Sequence, residues 1–436
     1  MRRLNADLIH VVASAGLPAL VNFAVAALAL HLFDPVLVGR SYALLALFYV
    51  AIDVFNFGSA RIYTIDRIRT RFPSLLRLDC VSAIGSTVLF CAACALLGRT
   101  GSIALPHSAA MLVIAPACYG LSHFALGFFR MTARNGVVLA ISTISAFSRL
   151  AVIALLAEFA ELRSHFPDLL LLVEAAYGAM LLAAYLWLRR RDTATHEPGR
   201  HPAHTRGGLG WYRDFIALAR GEMLSSWYAN AVLSGAKHLD VLIVSAVVGP
   251  AGAALYRVAK GFNNLAFNFG QSFSLAISGN GGRALRLIGG AGFGHKLAAS
   301  LLASWIALAI ASYALLEIRL FPVQSLGSRP RQFAFVFAVL LGAGLVFLCR
   351  ILSLWLYVRN RRAFVKMASF EAAFTLSLVA ALGWRFGVHG AICGVGAAAF
   401  VILASSFVLL TRHATPATSL PARGRAVLAS AERERP

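Results

Sequence analysis

Residues 35–58 read PVLVGRSYALLALFYVAIDVFNFG, and residues 250–270 read PAGAALYRVAKGFNNLAFNFG. Each opens on a proline after a short turn and continues as a long apolar helical stretch. Each closes on the same tetrapeptide, Phe55-Asn56-Phe57-Gly58 in the first and Phe267-Asn268-Phe269-Gly270 in the second. The two lie about half a chain apart in 436 residues. One shared tetrapeptide in so apolar a chain means little alone. Its equivalent place in each half carries the argument, because duplicated helical bundles are the usual architecture of membrane transporters.

Composition places both copies in a membrane. The chain is 59% hydrophobic and 13% charged, with a mean hydropathy of +0.74. A soluble protein of this length needs a far more polar surface. Lys+Arg 40 against Asp+Glu 18 gives a net charge of +22, a balance that would suggest nucleic acid in a soluble chain. Here the basic residues flank apolar runs, which the positive-inside rule explains without a polyanion, so no nucleic-acid partner is expected. The six cysteines lie mostly in apolar segments, and Cys91 and Cys94 form a Cys-x-x-Cys with no His or second Cys pair nearby. They read as small buried hydrophobes. Neither cofactor nor metal is expected, since no His, Cys or carboxylate cluster has metal-ligand spacing. The first apolar stretch is long enough to span a bilayer and reads as a retained helix, not a cleaved signal.

Requiring about 20 apolar residues per span gives twelve helices. The first six are 8–32, 36–60, 79–98, 106–129, 136–157 and 168–188. The second six are 213–248, 250–278, 295–317, 332–357, 363–384 and 388–411. The expected fold is therefore an all-α polytopic membrane protein, with two pseudo-symmetric six-helix lobes around a central cavity. The lobes cover residues 1–188 and 213–411. A cytoplasmic linker rich in Arg, His, Gly and Pro occupies 189–212, and a disordered cytoplasmic tail occupies 412–436. Most of the 40 Lys+Arg lie at the N-terminus, in the loops after helices 2, 4, 6, 8 and 10, and in the tail. The other loops carry few, and the 158–168 loop is acidic. This asymmetry predicts both termini on the cytoplasmic side.

Six basic residues fall inside the predicted helices: Arg149, Arg220, Lys237, Arg257, Lys260 and Arg350. A charge at the bilayer centre costs about 2.5–3.5 kcal/mol on insertion scales, so such residues face a cavity or a partner. Arg257 and Lys260, spaced i, i+3, share a face of helix 8 and need an anion from elsewhere. Lys237 has Asp240 at i+3 and reads equally well as half of an internal pair. Glu222 lies beside Arg220; Asp53, Glu174 and Glu371 are further acidic positions. His123 and His238 read as polar packing residues. A cavity lined mostly by Arg and Lys attracts an anion and repels an organic cation, and Arg suits phosphate, which it grips bidentately. Pro18 with Asn22, Pro116, and Ser234-Gly235 are expected to interrupt helices 1, 4 and 7.

Residues 237–256 read KHLDVLIVSAVVGPAGAALY. This resembles the polysaccharide-flippase family, in which a helix-7 Asp precedes a hydrophobic run, a Gly-Pro turn and a small-residue–Tyr segment. Asp240, Gly249, Pro250 and Tyr256 match that pattern. Asp34-Pro35, Gly39 and Tyr42 are its degenerate counterpart in the first half, with Asp34 where Gly is commoner. The resemblance implies membership of the multidrug/oligosaccharidyl-lipid/polysaccharide (MOP) exporter superfamily, whose members rock two lobes around a central cavity. It implies the flipping of undecaprenyl-pyrophosphate-linked oligosaccharides across the bacterial inner membrane for polysaccharide biosynthesis. The implied partners are the lipid-linked oligosaccharide, membrane lipids, and a polysaccharide polymerase with glycosyltransferases. On this reading Arg257 and Lys260 hold the pyrophosphate, and Arg220, Arg149 and Arg350 form a secondary cationic wall. Asp240, Glu222 and Asp53 are the candidates to couple transport to protons or sodium.

Two alternatives belong beside it. A multidrug exporter of the same superfamily would call for carboxylates facing cationic drugs. A membrane polymerase or ligase would carry a large extracytoplasmic loop, whereas every odd-numbered loop here is short. The stretch Gly289–Gly294 has no preceding strand and no Walker Lys-Ser/Thr, so it reads as a loop between spans. No catalytic role is expected.

Overall fold

A computed structural model describes residues 18–132, 134–195, 209–278, 307, 310–317, 328–359 and 361–412. The expected tail, most of helix 9, the start of helix 1 and the 196–208 stretch of the linker lie outside them. The described chain is all-α. Its first half contains α1 (Pro18–Leu32), α2 (Pro35–Phe55), the short α3 (Ser59–Ile62) and α4 (Asp66–Arg71), and α5 (Leu76–Gly98). It continues through α6 (Met111–Gly120), α7 (His123–Met131), α8 (Asn135–Glu158) and α9 (Phe166–Thr195). The second half contains α10 (Leu209–Ala229), α11 (Gly235–Val247), α12 (Pro250–Ser278), α13 (310–317), α14 (Arg329–Arg359) and α15 (Arg361–Arg412).

Among the described residues, eight helical stretches are long and apolar enough to cross a membrane, and the surface chemistry agrees. On α5, Asp79, Ser82 and Ser86 are buried, while Ile84 and Val88 are exposed. Polar side chains face the bundle and apolar ones face out, the reverse of a helix solvated by water. This is an all-α, multi-pass membrane protein.

The two repeated stretches begin in different ways. Asp34 accepts a hydrogen bond from the Leu37 amide at 3.0 Å and so caps α2 ahead of Pro35, which satisfies one of the orphan amides of the first turn. At α12 the turn is made by Gly249 at φ 98°, a conformation glycine adopts without steric cost. One repeat uses a carboxylate cap and the other a left-handed glycine, which accounts for Asp34 at a position the second repeat fills with Gly.

The repeats also end differently. At Phe55 α2 stops, and the Gly58 amide bonds back to Asn56 Oδ1 at 2.9 Å. The second Phe-Asn-Phe-Gly stays helical within α12, which runs on to Ser278. The carbonyls exposed at the end of α2 are taken by the second half. Trp227 Nε1 donates to the Val54 carbonyl at 2.7 Å, and Asn230 Nδ2 donates to the Asn56 carbonyl at 3.2 Å. Terminal carbonyls inside a bundle need such partners.

Helix interruptions fall near the expected residues. A π-helical turn, Asn230–Ser234, joins α10 to α11. The break in the fourth predicted span follows Gly120, a few residues beyond Pro116. There Asp79 of α5 accepts from the Phe124 amide at 2.5 Å and caps α7 from outside. Pro18 stands at the first described residue of α1, with Asn22 inside the helix. The last long helix, α15, reverses at Gly387 (φ 63°). Its arms run antiparallel, with Gly390 against the Leu382 backbone and Gly394 against Leu378.

The halves pack mainly through α2 against α11 and α12. Gly39 of α2 lies directly on the Pro250 carbonyl, with no room for a side chain. A single apolar core crosses this interface and includes Phe23, Phe48, Tyr256 and Phe335. A second cluster, around Phe72, Phe124, Tyr185, Trp211 and Phe215, fastens α10 to the first half at the other end.

Candidate substrate cavity

Against this apolar core, α11 and α12 bring most of the interior charge to two adjoining pockets. Pocket A, about 90 Å³, lies within the second half between α11, α12, α14 and α15. Pocket B, about 150 Å³, lies between the halves, with α1 and α2 on one side and α11 and α12 on the other. Lys237 and Asn264 line both.

Four of the five charged side chains lining pocket A form two ion pairs, and Lys237 is the fifth. Lys260 Nζ donates to Asp240 Oδ1 and to the Lys237 carbonyl. Tyr256, fully buried, donates its hydroxyl to Asp240 Oδ2 at 2.8 Å. Asp240 therefore accepts from both residues of α12, and the Lys260 ion is almost wholly buried with it. Arg350 of α14 pairs with Glu371 of α15. Asn263 Oδ1, also buried here, has no hydrogen-bond partner among the described residues.

The charges in pocket B are different. Arg257 lies 5.5 Å from the Tyr42 ring centroid, and Lys237 Nζ lies 4.4 Å from that of Phe267. Arg350 approaches the same Phe267 ring at 4.3 Å. Neither Arg257 nor Lys237 has a carboxylate within ion-pair distance among the described residues. An aromatic face supports a cation but does not cancel its charge. The negative group on this side is Asp53, 3.9 Å from His238 Nε2. His238 stacks on Tyr49 with ring centroids 4.8 Å apart. With the pocket A pairs cancelling, two basic side chains face one carboxylate. Asn22, Asn264 and Asn268 add polar groups to its wall.

Arg257 and Lys260 share a face of α12, but they serve different pockets, and only Arg257 is left without a counter-ion. Arg149 of α8 donates to Glu174 of α9 at 2.5 Å, and both are buried. Glu174 lies near Tyr49, which lines pocket B. Arg350 lines pocket A through its pair with Glu371. Arg220 is exposed on α10 and lines neither pocket. Its neighbour Glu222 pairs with Arg67 instead. Of the coupling candidates, Asp240 lines pocket A, Asp53 reaches His238, and Glu222 lies at the half-to-half contact near α4.

Lys237, weighed from the sequence as half of an internal pair, and His238, read as a packing residue, both line the cavity, and Asn264 is a cavity residue the sequence reading did not name as such. The i, i+3 rule paired Asp240 with Lys237 on its own helix. In the fold, Lys260 reaches that carboxylate from the adjacent helix and releases Lys237.

No protein-family model matches the chain, and no curated protein does. Solved structures do match it in fold. One is the inward-facing conformation of a multidrug resistance MATE family transporter of the MOP superfamily, 12% identical, with a TM-score of 0.50 over 94% of this chain and 96% of that one. Another is the outward-facing conformation of a multidrug resistance MATE family transporter of the same superfamily, 13% identical, with a TM-score of 0.50 over 93% and 94% of the two chains. This multi-pass membrane protein thus has the fold of MOP superfamily transporters.

Proposed function

We propose that the protein is a transporter that flips a lipid-linked oligosaccharide bearing a pyrophosphate, of the undecaprenyl-pyrophosphate type, across the bacterial inner membrane. Its two lobes, of six helices each with both termini cytoplasmic, would rock about the cavity. One observation carries this reading: Lys237 and Arg257 face the inter-half pocket with no ion-pair partner among the described residues, while the neighbouring cations are each paired. Two basic side chains without an ion-pair partner, facing one carboxylate in a low-dielectric cavity, favour a multiply charged anion. The arginine can grip phosphate oxygens bidentately and the lysine supplies a point charge. The asparagines of the wall suit hydroxyl-rich cargo.

The experiment is glycan export in a strain lacking the chromosomal copy. Lys237→Ala and Arg257→Ala are each expected to cut export at least ten-fold at normal membrane abundance. Full export in both variants overturns the assignment of the site.

The competing reading is a multidrug exporter, which the names of the fold neighbours favour. The two basic side chains of the cavity oppose it for cationic drugs. Resistance profiling in a pump-deficient strain separates the two, because a flippase confers no drug resistance.

A further inference from the structure

Away from the cavity, at the end of the first half that the charge asymmetry assigns to the outside, two loops meet. His107 lies in the irregular segment between α5 and α6. His165 ends the 3-10 turn Ala160–His165, and Asp168 lies in the first turn of α9. Asp168 Oδ2 is 3.2 Å from His107 Nδ1 and 3.8 Å from His165 Nδ1. Each residue offers one ligand atom, and all of these lie within 4.8 Å of one another.

We propose that His107, His165 and Asp168 form a binding site for a divalent transition-metal cation, with Zn²⁺ the best fit. Two imidazoles and one carboxylate are a zinc-type donor set, and three protein ligands leave a fourth position for water or another ligand. Bonds of about 2.0–2.1 Å in a tetrahedron put neighbouring ligand atoms about 3.3 Å apart. The two separations involving Asp168 are close to that, so small side-chain rotations complete the geometry. The carboxylate is already oriented. Asp168 Oδ2 accepts the His107 amide and Oδ1 accepts the Ser108 amide, each at 2.9 Å. Backbone donors of this kind fix a ligating carboxylate from outside the metal. Both histidine side chains are about half exposed, which gives the ion an entry path. The histidine rings also lie against each other, 4.3 Å between centroids. Two imidazoles so close on one carboxylate gain from a shared cation. A bound ion would tie the α5–α6 connection to the start of α9.

The test is Zn²⁺ titration of the purified full-length chain in detergent by calorimetry, with Co²⁺ absorption as a geometric readout. His196, His201 and His204 of the linker provide a competing source of imidazole, so the parent for all measurements carries Ala at these three positions. That parent is expected to bind one Zn²⁺ and to give the intense visible bands of tetrahedral Co²⁺. His165→Ala, a change at a half-exposed side chain, is expected to weaken Zn²⁺ at least ten-fold and abolish those bands. Asp168→Asn should do the same while its metal-free melting temperature monitors the lost backbone contacts. Absence of Zn²⁺ binding in the parent overturns the proposal. So does Zn²⁺ binding of equal affinity in the parent, His165→Ala and the triple variant His107→Ala/His165→Ala/Asp168→Asn.

Discussion

At the scale of single residues, Lys260 and Asp240 show why an interior charge is not by itself a binding site. The pair is buried, and Tyr256 accompanies it on Asp240. Breaking a buried pair from one side costs about 3–5 kcal/mol, because the remaining charge is stranded. Replacing both partners with apolar residues of similar size is often near neutral. We therefore expect Lys260→Met to lower the melting temperature of the detergent-solubilised protein sharply. The double change Asp240→Leu/Lys260→Met should recover most of the loss. Additive losses in the double variant would refute the pairing. The consequence for function is that a transport defect in Lys260→Ala reports a broken pair as much as a missing ligand. Lys237 and Arg257 carry the cleaner information. Sequence spacing ranked Arg257 and Lys260 together because i, i+3 places them on one helical face. It could not see which of the two a carboxylate on the next helix would neutralise. Arg149 had no acidic neighbour on its own helix, and its partner Glu174 stands across the packing of α8 on α9.

At the scale of elements, the repeated stretch was legible and its details were not. A proline start and an apolar run marked α2 and α12, and both are helical from that proline. The tetrapeptide, however, ends α2 and passes unbroken through α12. The same four residues adopt two conformations because the second half supplies Trp227 and Asn230 to the carbonyls at the end of α2. Local sequence holds no trace of those donors. Trp227→Phe keeps the ring and removes the donor, leaving the Val54 carbonyl unpaired inside the bundle. A buried unsatisfied group costs about 1–3 kcal/mol. We expect a lowered melting temperature, with amide exchange accelerated specifically around residues 54–58. Unchanged exchange there would show that this cap does not hold the end of α2. The proposed metal-ligand cluster escaped the sequence for a related reason, since His107 lies between α5 and α6 while Asp168 lies in the first turn of α9, and the two share no local spacing.

At the scale of the whole molecule, hydropathy and charge asymmetry were enough for the class, because a bilayer constrains composition more tightly than water does. The cavity was not legible, since it is assembled from α1, α2, α11, α12, α14 and α15. The halves touch at both ends of it. Gly39 meets Pro250, and Ser245 Oγ donates to the Ser102 carbonyl at 3.4 Å at one end. Trp227 and Asn230 hold α2 at the other. The proposed rocking of the halves would open the contacts at one end while keeping those at the other. In a background without the six native cysteines, Ser102→Cys/Ser245→Cys is expected to block transport when cross-linked and to regain it on reduction. Undiminished transport by the cross-linked protein would place the moving contact elsewhere. The claim on which the rest depends is that the inter-half pocket binds a pyrophosphate through Lys237 and Arg257. Its most direct test is binding of an undecaprenyl pyrophosphate to the purified protein by calorimetry, with Lys237→Ala, Arg257→Ala and the peripheral Arg220→Ala compared. A charge-assisted hydrogen bond contributes about 1.5–3 kcal/mol. Each cavity variant should therefore bind roughly ten- to hundred-fold more weakly, while Arg220→Ala binds as the parent does. Equal affinity in the parent and both cavity variants would contradict the account.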